Sequence, residues 1–319
     1  MNLTFEQIKA VTVGAIRIEQ CEDGIRFFKC TQKQIDAFTL ESATLGTRAK
    51  TTTGVRLDFY TNSKEATFEV VSGGKYEVYI NGLLRAQYDT SENKRISLRL
   101  CDPLGHAYAE DARVTLYFPA HSIGVLKSVE LDDGATIAPH KFDNKFLFIG
   151  DSITQGWAAN YDSLSYAQRV SRFYNAESVI QGIGGAYFHE LTFDSIDFDP
   201  DVVFVAYGTN DFGHYKTYAE LEAHADAHLS LIAKEYENKK RFYISPIWRD
   251  KRDGKSMGTF EGCREILTKL AADKGFTVID GLTLVPPVPE LFMDEYLHPN
   301  DNGFSLYAEN LISVLQKYL

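Results

Sequence analysis

Two textures of hydrophobic patterning divide the chain. Through residue 138, apolar and polar side chains mostly alternate with a period of two. The segments 54–60 (GVRLDFY), 66–71 (ATFEVV), 75–80 (KYEVYI), 95–100 (RISLRL) and 113–118 (RVTLYF) all show it. A strand turns successive side chains to opposite faces, so each segment predicts a half-buried strand. Polar turns separate them, and Asn81-Gly82 is a hairpin signal because both residues tolerate positive φ. Short strands at this spacing predict an antiparallel β-sandwich or jelly roll over 1–138.

The pattern changes after Asp132-Asp133-Gly134. The stretch 134–144 (GATIAPHKFDN) has a Gly, a Pro and no periodicity, which predicts a linker that ends over 139–144. Beyond it, short apolar runs at 146–149, 178–180, 202–206, 241–245 and 276–279 alternate with helical patterns. Tyr218, Leu221, Ala225, Ile232 and Tyr236 share one helical face, as do Phe304, Tyr307, Leu311, Leu315 and Tyr318. Strand–helix alternation predicts an α/β domain over 145–319, a parallel sheet with helices on both faces.

Candidate chemistry gathers at the ends of these strands, where ligands bind in parallel α/β sheets. Gly150-Asp151-Ser152 ends the first strand, and its serine is either a nucleophile awaiting a base or a helix cap. Gln181-Gly182-Ile183-Gly184-Gly185 follows the second; glycines there allow close backbone approach and leave N–H groups free. Tyr207-Gly208-Thr209-Asn210-Asp211 follows the strongest strand, and the Asn210 amide can donate to a developing oxyanion. His298, preceded by Asp294 and Glu295, can be oriented by a carboxylate. A dinucleotide fingerprint is excluded, because the first strand ends in GDSITQG rather than Gly-x-Gly-x-x-Gly. His224 and His228 lie four apart on a helix, but without a following Glu or an evident third ligand they read as a solvated or half-buried helix side.

Taken together, the four blocks GDSIT, the Gly-rich turn, GTND and acid-x-x-His-Pro-Asn stand in the order of the SGNH or GDSL-type hydrolase superfamily. The half 145–319 resembles that family. The resemblance implies a flavodoxin-like three-layer αβα fold, with Ser152 as nucleophile and His298 as general base. It implies an oxyanion hole made by the N–H groups of Ser152 and Gly185, with Gly185 preferred over Gly184, and by the Asn210 amide. The family usually has Asp three residues before its histidine; here that place holds Glu295, with Asp294 one residue earlier. Glu295, Asp294 or neither therefore remains open as the acid that orients His298. Asp151 reads as a buried carboxylate that organises its loop. Trp157, Tyr187, Trp248 and Arg249 are candidates for a substrate cleft, with simple packing as the alternative.

A β-sandwich before such a domain resembles the layout of carbohydrate esterases that remove acetyl groups. The resemblance implies a serine esterase acting through an acyl-serine on a small-molecule or oligosaccharide ester, with no cofactor and no metal. An O-acyltransferase or a lysophospholipase- or thioesterase-type enzyme is the chemical alternative; a non-catalytic carbohydrate-binding protein is the remote one.

Composition narrows the partners. The 319 residues are 44% hydrophobic, enough for large cores, and carry 33 Lys and Arg against 44 Asp and Glu. A net charge of -11 argues against nucleic acid or an anionic membrane as a partner. The N-terminus lacks the basic head and apolar run of a secretory signal, which predicts a cytoplasmic protein. Its four cysteines form no close pairs and are expected as free thiols. The oligomeric state is not legible.

Overall fold

The computed structural model of the protein describes residues 1–294 and 296–319. Strands β1 (Thr12–Val13), β2 (Arg17–Cys21), β3 (Gly24–Phe28), β4 (Arg56–Thr61), β5 (Glu65–Val70), β6 (Lys75–Ile80), β7 (Leu83–Asp89), β8 (Arg95–Arg99), β9 (Ala112–Tyr117), β10 (Val125–Leu131) and β11 (Ala138–Pro139) make two antiparallel sheets. One runs β1-β4-β9-β6-β7, with β11 added on β4, and the other β2-β3-β10-β5-β8. Alternation supplies the core between them: Leu57, Phe68, Val78, Ile96, Leu116 and Val129 are all buried there. This is the β-sandwich that the period-two pattern predicts.

The parallel sheet is built from β12 (Asn144–Gly150), β13 (Ala176–Gly182), β14 (Val202–Ala206), β15 (Lys240–Ile244) and β16 (Thr277–Ile279) in the order β13-β12-β14-β15-β16. Both faces are covered, so β14 and the 146–149 run of β12 can be apolar, with Phe146, Leu147, Phe148 and Val202 to Val205 all buried. From β12 the chain first goes to one side, to β13, and then crosses to the other, to β14. A crevice opens where the order reverses. Ser152, Gly185 and Asn210 lie just past the carboxyl ends of these three strands.

The helices are α1 (Phe5–Ala10), α2 (Gln32–Glu41), α3 (Ala43–Ala49), α4 (Ser152–Gln155), α5 (Tyr166–Phe173), α6 (Asp211–His214), α7 (Tyr218–Glu235), α8 (Phe260–Asp273) and α9 (Asp301–Leu315). The faces expected of α7 and α9 are buried, apart from Tyr218, which is partly buried, and Tyr318, which lies beyond α9 and is exposed. Helices α1 to α3 depart from the alternating pattern expected of the first half. Both α1 and α2 open with a capping box, Thr4 with Gln7 and Thr31 with Gln34, in which each side chain satisfies the other's backbone N–H. Helices α2 and α3 bury Ile35, Phe38, Leu45 and Ala49 against Leu147, Val179 and Val203 of the parallel sheet. A segment from the first half thus joins α7 and α8 in one covering layer of the second.

His228 also departs from expectation. It is buried rather than solvated or half-buried, its Nδ1 lies 2.8 Å from the His189 carbonyl oxygen, and burial pushes its pKa down to about 4. His224 pairs instead with Glu190, at 2.9 Å. Among the described residues no group of three His, Cys, Asp or Glu side chains is arranged to hold a metal ion. No described helix is long and apolar enough to cross a membrane.

Candidate active site

Ser152 opens the single turn α4 directly after β12. Asp151 caps that turn by accepting from the Ile153 N–H at 2.9 Å, and Gly156 closes it with φ +74. The strand end needs two further glycines: a Cβ on Gly150 would fall 2.8 Å from the Ala206 oxygen, and one on Gly182 2.3 Å from the Gln155 nitrogen. The turn is therefore wedged between its neighbours, and Ser152 is 6% exposed.

His298 reaches Ser152 from the loop before α9, with Nε2 3.0 Å from the serine Oγ. Its other nitrogen, Nδ1, lies 2.7 Å from Asp294 Oδ2. Of the two neighbouring carboxylates, Asp294 thus meets the ring, while Glu295 lies outside the described residues. Asp294 Oδ1 accepts the backbone N–H groups of Leu297 at 2.9 Å and His298 at 3.0 Å. Burial works to raise this carboxyl, but those N–H bonds and the His298 ring outweigh it and hold its pKa below the usual value. An ionised Asp294 only accepts, so the ring proton sits on Nδ1 and Nε2 is left to accept from the serine hydroxyl.

Three contacts brace the histidine loop. Asn300 caps α9 through the N–H groups of Asn302 and Gly303, Asn160 binds Asp301 at 2.9 and 2.6 Å, and Phe292 packs on Trp248. The second of these ties the loop after Ser152 to the loop that carries His298.

Across the crevice, the turn at 183–186 is closed by the Ala186 N–H on the Ile183 oxygen at 3.0 Å. Gly184 gives its N–H to Gln155 Oε1 at 2.7 Å, so that group is occupied. The Gly185 N–H makes no hydrogen bond among the described residues, which leaves it the free donor of the pair. One amide hydrogen of Asn210 is anchored to the Ala186 oxygen at 2.9 Å, and the other makes no hydrogen bond among the described residues.

The remaining candidates separate. Trp157 is near the chemistry, its ring 6.5 Å from that of His298. Tyr187 is buried, stacks on His214 and donates to Glu41 at 2.5 Å. Arg249 donates to the Thr209 oxygen at 2.9 Å and so braces the turn that carries Asn210. Asp151 is buried as expected, and so is Asp211, whose Oδ1 accepts the Phe188 N–H at 2.9 Å. Burial pushes both carboxyls up to about 7.

Sequence reasoning missed a polar layer from the segment before β4. Lys29 is fully buried and donates to Thr51 and Thr53 at 2.9 Å and to the Gly182 oxygen at 3.0 Å; burial pushes its pKa down to about 8. Gln155 donates to the Ala120 oxygen at 3.1 Å, and Arg48 to the Gly184 oxygen at 2.7 Å. The only sequence signal for this layer was the Thr31–Gln34 capping box that starts the helical segment.

Residues 148–306 match the GDSL-like lipase/acylhydrolase family. Comparison with curated proteins returned no match. Among solved structures the chain is similar to the salicylyl-acyltransferase SsfX3 from a tetracycline biosynthetic pathway, with 18% identity, 96% of this chain and 95% of that one covered, and a TM-score of 0.81. It is also similar to a putative GDSL-like lipase from Bacteroides ovatus (17% identity, 99% and 97% covered, TM-score 0.70). A third is a family two carbohydrate esterase from Clostridium thermocellum (18% identity, 96% and 98% covered, TM-score 0.62). At these identities the likeness is one of fold, and it runs through both halves of the chain.

Proposed function

We propose that the chain, whose residues 148–306 match the GDSL-like lipase/acylhydrolase family, is a serine-dependent carboxylic ester hydrolase that removes short acyl groups, acetyl first, from a carbohydrate. The observation that carries this reading is the chain of contacts Ser152–His298–Asp294, at 3.0 and 2.7 Å. His298 takes the serine proton as Oγ attacks the ester carbonyl. The oxyanion is met by the N–H groups of Ser152 and Gly185 and by the free hydrogen of the Asn210 amide. The protonated histidine then gives its proton to the departing alcohol, leaving an acyl-serine. Water, deprotonated by the same ring, releases the acid and restores the serine.

The carbohydrate is supported by the sandwich-plus-hydrolase layout shared with the Clostridium thermocellum esterase. Transfer of the acyl group to an alcohol other than water is a second reading, favoured by the likeness to the acyltransferase over both halves. Released acetate from acetylated oligosaccharides, measured beside nitrophenyl esters of increasing chain length, tests the first reading. Fast release from acetyl esters supports it, whereas faster turnover of long chains overturns the short-acyl preference. An acyl product on an added alcohol that outpaces free acid would favour transfer.

A further inference from the structure

The turn at 183–186 has two backbone forms open to it. Its closing bond runs from the Ala186 N–H to the Ile183 oxygen, and Gly185 sits at φ +87. A positive φ at the third residue marks a type II turn; the type I form differs by a half-rotation of the middle peptide. That middle peptide comprises the Gly184 carbonyl and the Gly185 N–H. Because a trans peptide points its C=O and N–H in opposite directions, the choice of form decides which of them faces the crevice. One form offers a donor to an oxyanion. The other offers a carbonyl oxygen, which would repel it.

Glycine alone does not choose, since it populates positive and negative φ about equally. The choice is made from outside residues 148–306. Arg48 Nη1 donates to the Gly184 oxygen at 2.7 Å, and its guanidinium lies over the Trp157 ring at 4.7 Å. Helix α3 holds Arg48 there through Leu45 and Ala49, both buried against the parallel sheet. Gln155 fixes the preceding peptide by accepting the Gly184 N–H at 2.7 Å.

We propose that Arg48 is a positioning residue for the oxyanion hole. It holds the Gly184 carbonyl away from the crevice, so that the N–H of the same peptide stays turned towards the oxyanion. Its charge also draws electron density towards that carbonyl and makes the N–H a stronger donor. The inference rests on the reading of Gly185 as an oxyanion donor, and the test separates the two.

The experiment measures kcat and KM on a small nitrophenyl ester for Arg48→Ala, Arg48→Lys and Asn210→Ala, each checked for its thermal midpoint. Arg48→Ala should lose about tenfold in kcat, with KM within about twofold, as expected of a group felt only in the transition state. Added guanidinium, well below unfolding concentrations, should recover part of that loss, and Arg48→Lys should keep more rate than Arg48→Ala. A purely structural role would not respond to guanidinium. If Asn210→Ala is slow while Arg48→Ala keeps its kcat, or loses only in KM, this inference is overturned and the oxyanion hole stands. If Asn210→Ala also keeps full rate, the oxyanion reading fails and takes the inference with it. Should Arg48→Ala not fold, Arg48→Met, which keeps the apolar stem but has no donor, takes its place, and an unchanged kcat in that variant overturns the inference.

Discussion

One bank of the crevice, Ser152 with Asp294 and His298, is assembled wholly within residues 148–306, whereas the other, the Gly184–Gly185 turn, is held by Arg48 from far upstream, with Lys29 on the Gly182 oxygen just before it. The first bank works through side chains whose chemistry is written in their residue types. The second works through backbone N–H and C=O groups, which every residue carries and whose direction depends on what holds them. The difference shows how the first half reaches the candidate site: helices α2 and α3 pack with the parallel sheet beside the turn at 183–186.

Breaking the first bank should cost most. Ser152→Ala should lower kcat on the order of 10⁶-fold, as removing a nucleophile does in other serine hydrolases, while leaving the thermal midpoint within a few degrees. Asp294→Asn comes next. An amide in place of the carboxylate can donate towards Nδ1 and favour the wrong tautomer, so kcat should fall by about 10³ to 10⁴. A matching Glu295→Gln variant that lost as much would show that Asp294 does not act alone. On the second bank, Asn210→Ala removes one oxyanion donor and should cost about 10² to 10³ in kcat with little change in KM.

The smallest effect concerns the buried carboxyl beside Asn210. In an unfolded chain Asp211 would release its proton near pH 4, but burial raises it to about 7 in the folded protein. Between those values the folded state holds the extra proton. Stability from this group is therefore full below about pH 4 and is lost as pH rises through about 7. Asp211→Asn has no such proton to lose. Its thermal midpoint relative to the natural protein should rise by a few degrees from about pH 5 to pH 8, read from melts at both values. A constant difference across that range would show that Asp211 does not titrate there.

Much of this was legible in the chain. Alternation at 54–60, 66–71, 75–80, 95–100 and 113–118 found five sandwich strands, because a half-buried strand must alternate. The apolar runs found the parallel strands, because both faces of that sheet are covered. Ser152, Gly185, Asn210 and His298 could be singled out as candidates because each follows a strand or precedes a helix in a recognisable block. The orienting acid was not, since residue count does not fix which carboxylate a loop turns inward; Asp294 reaches Nδ1 because its other oxygen binds the loop's own N–H groups. Arg48, Lys29 and Gln155 were invisible for another reason. They act on peptide groups more than a hundred residues away, or in Gln155's case on a neighbouring turn, and no local pattern marks such a contact.

The central claim is that Ser152 carries the acyl group through the reaction. Mixing the protein with a nitrophenyl acetate and quenching in acid before the first turnover ends would trap that state for intact and peptide mass measurement. The account predicts a burst of nitrophenol and one acetyl group per chain, located on Ser152 and absent from Ser152→Ala. Turnover of the ester with no acetyl on Ser152, or with the label on another residue, would contradict it.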